Sequence, residues 1–215
     1  MDIASAIEHT ALSPTVTSHD LDKLLNEAVE HRFHGICIPP FWVKKYARES
    51  KGTGIKIITV AGFPLGYHRT ETKMAEIDAA LDDGADEIDL VWNISAFKDG
   101  MNWPKIEVAK ASGRIHGAGK ILKVIIETCY LSDEEIMEAC KICVDAGTDF
   151  VKTSTGFGKE GAVVRHVALM RQMLPSHVGI KAAGGIKSYD QAKSFIDAGA
   201  DRIGTSSGIK IIEGQ

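Results

Sequence analysis

Cys143-Val144-Asp145-Ala146-Gly147-Thr148-Asp149-Phe150-Val151-Lys152 decides the fold, because its pattern recurs along the chain. It reads as a helix end, a glycine that stops the helix in the left-handed conformation, a short turn and an apolar strand. Ala79-Ala80-Leu81-Asp82-Asp83-Gly84-Ala85-Asp86-Glu87-Ile88-Asp89-Leu90 repeats that order, as does Ile196-Asp197-Ala198-Gly199-Ala200-Asp201-Arg202-Ile203-Gly204. A weaker copy runs from Ala28 to Ile38, with its glycine at Gly35. Each copy is the αβ half of a βα unit.

Working outward from these copies yields eight strand candidates: Ile7 to Leu12, Gly35 to Ile38, Ile55 to Ala61, Glu87 to Val91, Ile121 to Glu127, Phe150 to Thr153, Val178 to Ala182 and Arg202 to Thr205. Helical patterns follow most of them. Ser18 is the expected cap of a helix beginning His19-Asp20-Leu21. Ser132-Asp133-Glu134-Glu135 reads as a capping box, with Ser132 at N-cap and Glu135 at N3. Eight strands alternating with helices over 215 residues predict one α/β domain, a (β/α)8 TIM barrel spanning 1–215. The competitor is an open doubly wound sheet, weakened because no G-x-G-x-x-G follows the first strand.

Composition narrows the function classes. At 44% hydrophobic and 25% charged, the chain has the balance of a soluble globular protein. A net charge of −4 and the absence of a basic stripe argue against nucleic acid as a partner. No apolar run is long enough to span a bilayer, and the N-terminus lacks a secretory pattern, so no membrane role is expected. The four cysteines, Cys37, Cys129, Cys140 and Cys143, make no disulfide framework in a chain of this size. Cys140 and Cys143 have C-x-x-C spacing within a helical pattern from Glu134 to Ala146; with no second pair, buried core thiols are expected. A reducing cytoplasm is the expected compartment. The eight histidines show no H-E-x-x-H spacing, so no metal site is expected.

In a parallel barrel, chemistry collects at the C-terminal ends of the strands. Three predicted strands carry a lysine among aliphatic residues, Lys123, Lys152 and Lys181, and a neighbouring strand carries Asp89. Burying an ammonium is costly without a partner or a lowered pKa. A lysine with a lowered pKa is a nucleophile for carbonyl carbons. Lys152 and Lys181 fall on consecutive strands, which pairs a nucleophile with a cation able to tune it. Asp89, or a water it orients, is placed to shuttle protons. Lys123 is expected to pair with Asp89 and hold it ionised, either as part of the site or as a purely structural ion pair. Ala183-Gly184-Gly185-Ile186 follows the seventh strand, and Gly204-Thr205-Ser206-Ser207-Gly208 lies at the end of the eighth. Loops there form the usual phosphate cradle of such barrels, from backbone N–H groups and a helix N-terminus. Thr155 and Gly156 are placed to close the site from the sixth strand. Phe63, in Gly62-Phe63-Pro64-Leu65-Gly66, is read either as a pocket wall or as a core aromatic.

These pieces together resemble the deoxyribose-phosphate aldolase family. The resemblance rests on Glu8-His9-Thr10-Ala11-Leu12, Gly62-Phe63-Pro64-Leu65-Gly66, Glu87-Ile88-Asp89-Leu90-Val91, Leu122-Lys123-Val124-Ile125-Ile126-Glu127-Thr128, Phe150-Val151-Lys152-Thr153-Ser154-Thr155-Gly156, Val178-Gly179-Ile180-Lys181-Ala182-Ala183-Gly184-Gly185-Ile186 and Arg202-Ile203-Gly204-Thr205-Ser206-Ser207, in the family's order through nearly the whole chain. It implies a class I, cofactor-free lyase that cleaves 2-deoxy-D-ribose 5-phosphate reversibly to acetaldehyde and D-glyceraldehyde 3-phosphate. Lys152 would form the Schiff base, Lys181 perturb it, Asp89 relay protons and Lys123 support Asp89. Gly156, Gly184, Gly185, Gly204, Ser206 and Ser207 would hold the phosphate. Thr10, Leu12, Cys37, Phe63 and Thr155 would line the pocket. The implied partner is a small sugar phosphate; a homodimer is compatible with such barrels, although no stretch reads as an interface. Alternatives are a Schiff-base barrel acting on a different phosphorylated sugar and a non-catalytic sugar-phosphate-binding protein. The chain departs from the family pattern in two places. Glu8 stands where the family usually has aspartate, and the end Ile211-Ile212-Glu213-Gly214-Gln215 lacks the tyrosine that some members use as a proton shuttle.

Overall fold

Eight short parallel strands set the positions of Lys123, Lys152, Lys181 and Asp89. The structure, a computed structural model, describes residues 2–214. Its strands are β1 (Ile7–Thr10), β2 (Gly35–Cys37), β3 (Lys56–Ala61), β4 (Glu87–Val91), β5 (Ile121–Ile125), β6 (Phe150–Lys152), β7 (Gly179–Ala183) and β8 (Arg202–Thr205). They pair in chain order, and β8 closes on β1, so the sheet is a complete barrel. The helices are α1 (Ser18–Glu30), α2 (Val43–Glu49), α3 (Thr70–Asp82), α4 (Ile94–Lys98), α5 (Trp103–Gly117), α6 (Asp133–Asp145), α7 (Val164–Met173), α8 (Tyr189–Asp197) and α9 (Gly208–Glu213). One helix follows each strand, except that β4 is followed by both α4 and α5. The (β/α)8 prediction is borne out.

Side chains alternate across each strand. Ile7, Ile36, Ile88, Leu122, Val151 and Ile203 join a continuous core with helical residues such as Leu21, Ile77, Ile115 and Val167. Each such aliphatic contributes about 1.5–3 kcal/mol by leaving water. This outer layer between sheet and helices is the main core. The alternate positions point into the barrel and carry the charges, so the barrel interior is polar and the shell around it is apolar.

Glycine stops work as expected in three of the four copies: Gly84, Gly147 and Gly199 have φ of 98°, 81° and 108°. The weaker copy differs. There Arg32 takes the left-handed position at φ 55°, and Gly35 lies inside β2. Gly35 serves close approach instead, because a Cβ on it would sit 2.4 Å from the Lys56 carbonyl oxygen. The cap of α1 is Thr17 rather than Ser18; its hydroxyl accepts from the Asp20 N–H while the Asp20 carboxylate accepts in return. The capping box of α6 is Ser132 with Glu135, as predicted. β2 and β6 end one residue early, at Cys37 and Lys152, and two strands end two residues early. β1 stops at Thr10 rather than Leu12, and β5 at Ile125 rather than Glu127, where φ of 54° turns the chain. Strand β7 lies one residue later than expected.

All four cysteines are unpaired and buried. Burial pushes the Cys140 thiol up to about 12 and holds Cys143 well above its ordinary value, so the C-x-x-C pair on α6 is inert core, as expected. Among the described residues, no helix is long and apolar enough to cross a membrane.

Candidate active site

Strand register brings the predicted charges together. Asp89 on β4 lies beside Lys123 on β5, and Lys152 on β6 beside Lys181 on β7. Across the barrel, Asp89 Oδ2 accepts from Lys152 Nζ at 2.7 Å and from Lys181 Nζ at 2.6 Å. Its other oxygen, Oδ1, accepts from Lys123 Nζ at 3.0 Å. Glu8 on β1 also accepts from Lys181. Lys123 lies between Glu87, which it contacts directly, and Glu8, 3.5 Å away. Glu8 Oε1 and Glu87 Oε2 make no directed hydrogen bond, so charge alone holds them to Lys123. His34 Nε2 closes the chain of charges 2.6 Å from Glu87 Oε1. Three lysines thus face three carboxylates, all buried.

Unpaired, each of these buried ions would cost several kcal/mol, on the order of the penalty for any ion taken out of water. The pairing is uneven, and the protonation states follow from that. Burial lowers the Lys152 amine; Asp89 opposes this and Lys181 reinforces it, so the amine lies below the ordinary lysine range. Burial acts on Lys181 in the same sense, but Asp89 and Glu8 overcome it and hold that ammonium well above the ordinary range. Lys123 is likewise raised against burial, by Asp89 and Glu8. Burial would raise Asp89, but Lys123, Lys152 and Lys181 keep its carboxyl well below the usual carboxylate range. Glu87 is brought down to about 2 against burial by Lys123 and His34. Lys152 is therefore the lysine of the three that most readily yields a free amine. The largest cause of this is burial, with Lys181 assisting.

Opposite the lysines, Cys37, Ile58 and Val60 form a small apolar cluster with Leu12 and Phe63, apart from the main core. Phe63 is thus a wall of the interior, and Phe157 packs edge-on against it at 5.3 Å. Burial pushes the Cys37 thiol up to about 11, so it stays a neutral member of this wall. Thr10 is half-buried, and its hydroxyl donates to the Glu8 carbonyl.

The glycine loops interlock. Thr205 Oγ1 donates to the Ile186 carbonyl at 2.7 Å and accepts from the Ser207 N–H at 2.9 Å, clamping the loop after β7 to the loop after β8. The Gly184 carbonyl accepts from the Ala162 N–H at 3.0 Å, and a Cβ on Gly161 would lie 2.1 Å from that carbonyl oxygen. The loop after β6 therefore packs directly on the loop after β7. Gly156 and Gly185 have φ of 87° and 79° and open space where a Cβ would stand. Gly184, Gly185, Ser206 and Ser207 all lie in this loop group. Gly204 lies within β8, as the predicted strand had it, and a Cβ there would stand 2.9 Å from the Ala183 Cβ and 3.0 Å from Lys181 Cε, so the glycine also leaves room for those side chains. With only six residues, α9 is too short to supply much dipole, so backbone N–H groups and hydroxyls would carry any anion here.

Glu127 was not among the predicted site residues. Its left-handed backbone, which costs about 1–2 kcal/mol in a residue other than glycine, aims the carboxylate at the loop after β6. There both oxygens accept from the Thr155 N–H at 3.2 Å, and Oε2 accepts from Thr155 Oγ1. Period-two spacing could have found the others: Glu87 shares the face of Asp89, and Glu127 continues the face of Lys123 and Ile125. Glu8, His34 and Glu87 place ligand atoms within 4.8 Å of one another, but the Lys123 ammonium already fills the electrostatic position a cation would take. A depression of about 400 Å³ lined by Asn93, Ser95, Ala96, Lys98, Asp99 and Met101 is separate, and none of its lining residues is buried.

A family model described as DeoC/LacD family aldolase matches residues 3–214. A deoxyribose-phosphate aldolase of Thermococcus gammatolerans is 50% identical over 218 residues, covering 100% of this chain and 96% of that protein. One of Thermotoga maritima is 49% identical, covering 99% of this chain and 86% of its own. A solved deoxyribose phosphate aldolase from Aeropyrum pernix, described as a unique tetramer, is 34% identical with a TM-score of 0.92, covering 99% of this chain and 90% of that one.

Proposed function

The chain belongs to the DeoC/LacD family of aldolases, and from that premise we propose that it cleaves 2-deoxy-D-ribose 5-phosphate to acetaldehyde and D-glyceraldehyde 3-phosphate through an imine on Lys152. The observation that carries this reading is the Asp89 carboxylate oxygen shared by Lys152 and Lys181 inside the barrel. It supports two differently protonated lysines side by side, one to attack and one to remain charged.

In this mechanism the free Lys152 amine attacks the C1 aldehyde of the open-chain sugar, and loss of water leaves the protonated imine. Removal of the C3 hydroxyl proton breaks the C2–C3 bond, and the imine takes up the electron pair as an enamine. Glyceraldehyde 3-phosphate leaves. A proton returns to C2, and water hydrolyses the imine to acetaldehyde and the free amine. Asp89, between Lys152 and Lys181, is placed to pass these protons with water; Lys123 and Glu8 keep Asp89 and Lys181 charged. Gly156, Gly184, Gly185, Gly204, Ser206 and Ser207 hold the phosphate, and Leu12, Cys37 and Phe63 bound the two-carbon end.

The test is borohydride reduction in the presence of acetaldehyde, together with a coupled assay for glyceraldehyde 3-phosphate release. A two-carbon adduct on Lys152, with release of the triose phosphate, is expected. An adduct only elsewhere removes the lysine assignment, and activity on another sugar phosphate alone removes the substrate. Assembly into a homodimer or larger oligomer belongs to the same proposal. Exposed Phe41, Leu65 and Tyr67 offer apolar surface for it, and light scattering measures it. A cytoplasmic location suits the four unpaired thiols.

A further inference from the structure

We propose that Glu127 is a positioning residue that commits the Thr155 hydroxyl proton inward, so that Thr155 meets the substrate only as a hydrogen-bond acceptor for a hydroxyl on the triose half. An ionised carboxylate accepts and cannot donate, and a hydroxyl has one proton and two lone pairs. Thr155 Oγ1 gives its proton to Glu127 Oε2 and takes the Phe157 N–H at 3.0 Å on one lone pair. One lone pair remains. Thr155 lies three residues beyond Lys152 on the chain leaving β6, next to Gly156 of the glycine loops, and 7% of the residue remains exposed. On a deoxy-sugar phosphate the groups able to donate to that lone pair are hydroxyls.

Glu127 has no freedom to do otherwise. Its two oxygens share the Thr155 N–H, and Gly158 packs so closely on its far side that a Cβ there would stand 3.2 Å from the carboxyl carbon. The loop from Thr155 to Gly158 wraps this carboxylate on both sides. Burial pushes the Glu127 carboxyl above its ordinary value, and the Thr155 hydroxyl and N–H oppose this by favouring the ionised, accepting form. No base at the aldehyde carbon requires this arrangement; it acts on the part of the substrate that leaves as the hydroxylated fragment.

The inference rests on the proposed cleavage, and the experiment separates the two. E127Q, T155V, T155S and the double variant E127Q/T155V are each assayed for acetaldehyde trapping on Lys152 and for cleavage of deoxyribose 5-phosphate. Acetaldehyde carries no hydroxyl, so trapping in E127Q and T155V is expected within about twofold of the unaltered protein. Cleavage efficiency is expected to fall about tenfold or more in both, as for a lost hydrogen bond to substrate. The double variant should be no worse than T155V, because the two residues act through one hydroxyl. T155S, which keeps the hydroxyl, should retain cleavage. Unchanged cleavage in E127Q, multiplicative losses in the double variant, or trapping reduced as much as cleavage overturns the inference while leaving the aldolase reading intact. An unaltered protein inert towards the sugar phosphate overturns both.

Discussion

Lys152 and Lys181 carry the same side chain at paired positions on adjacent strands, yet their surroundings push them in opposite directions. Both are buried. Glu8 makes the difference, because it bonds Lys181 and has no contact with Lys152. Two substitutions read this out with opposite signs. Replacing Lys181 with Leu removes a cation that holds Lys152 down, so the Lys152 pKa rises and acetaldehyde trapping begins at higher pH. Replacing Asp89 with Asn removes the charge that holds Lys152 up, so trapping begins at lower pH, while cleavage slows about 10²- to 10⁴-fold for want of the relay. Borohydride trapping across pH, read by mass, measures both limbs. Shifts of the same sign in the two variants would contradict this electrostatic account.

The loops after β6, β7 and β8 act as one unit. Gly161 against Gly184 and Thr205 against Ile186 are the two joints. Placing a methyl group at Gly161 forces the β6 loop off the β7 loop. G161A should therefore raise KM for the sugar phosphate about tenfold or more, since displacement by about 1 Å is costly in positioned sites, while leaving acetaldehyde trapping unchanged. Steady-state kinetics beside the trap distinguishes this from general damage. At β2 the constraint is on folding rather than on the site. G35A drives a Cβ towards the Lys56 carbonyl and Ile58 and should cost about 1–3 kcal/mol by overpacking, measured by urea denaturation.

Across the whole molecule, the charged interior makes stability depend on pH at both extremes. Asp89 and Glu87 have folded pKa values below their unfolded ones, so their stabilisation is full above about pH 5 and is lost as pH falls through the folded values. With Glu87 at about 2, its share is at most about 3 kcal/mol. Lys123 and Lys181 have raised values, so theirs is full below about pH 10 and is lost at still higher pH. Urea midpoints measured between pH 2 and pH 5 should fall steeply towards acid, and E87Q should flatten that slope. Lys152 works against the others: its lowered value disfavours the folded state as its amine becomes protonated.

How much of this was legible in the chain depends on the range of the forces involved. Helix stops, capping boxes and period-two strands are local, so the residues from Cys143 to Lys152 and their repeats were enough for a barrel and for eight strands placed to within about two residues. Inward-facing Lys123, Lys152, Lys181 and Asp89 were legible for the same reason. The left-handed backbones of Arg32 and Glu127 were not, because neither residue is a glycine; the Thr17 cap was legible in principle, since its partner Asp20 is only three residues on. The closeness of Gly204 to Lys181 was not legible either, because β7 lays that side chain beside it only in the closed sheet. Sequence alone determined which side chains enter the barrel. Only the tertiary structure decided their protonation states and partners, because charge interaction and desolvation depend on distances across the closed sheet, where Glu8 and Lys181 meet from opposite ends of the chain.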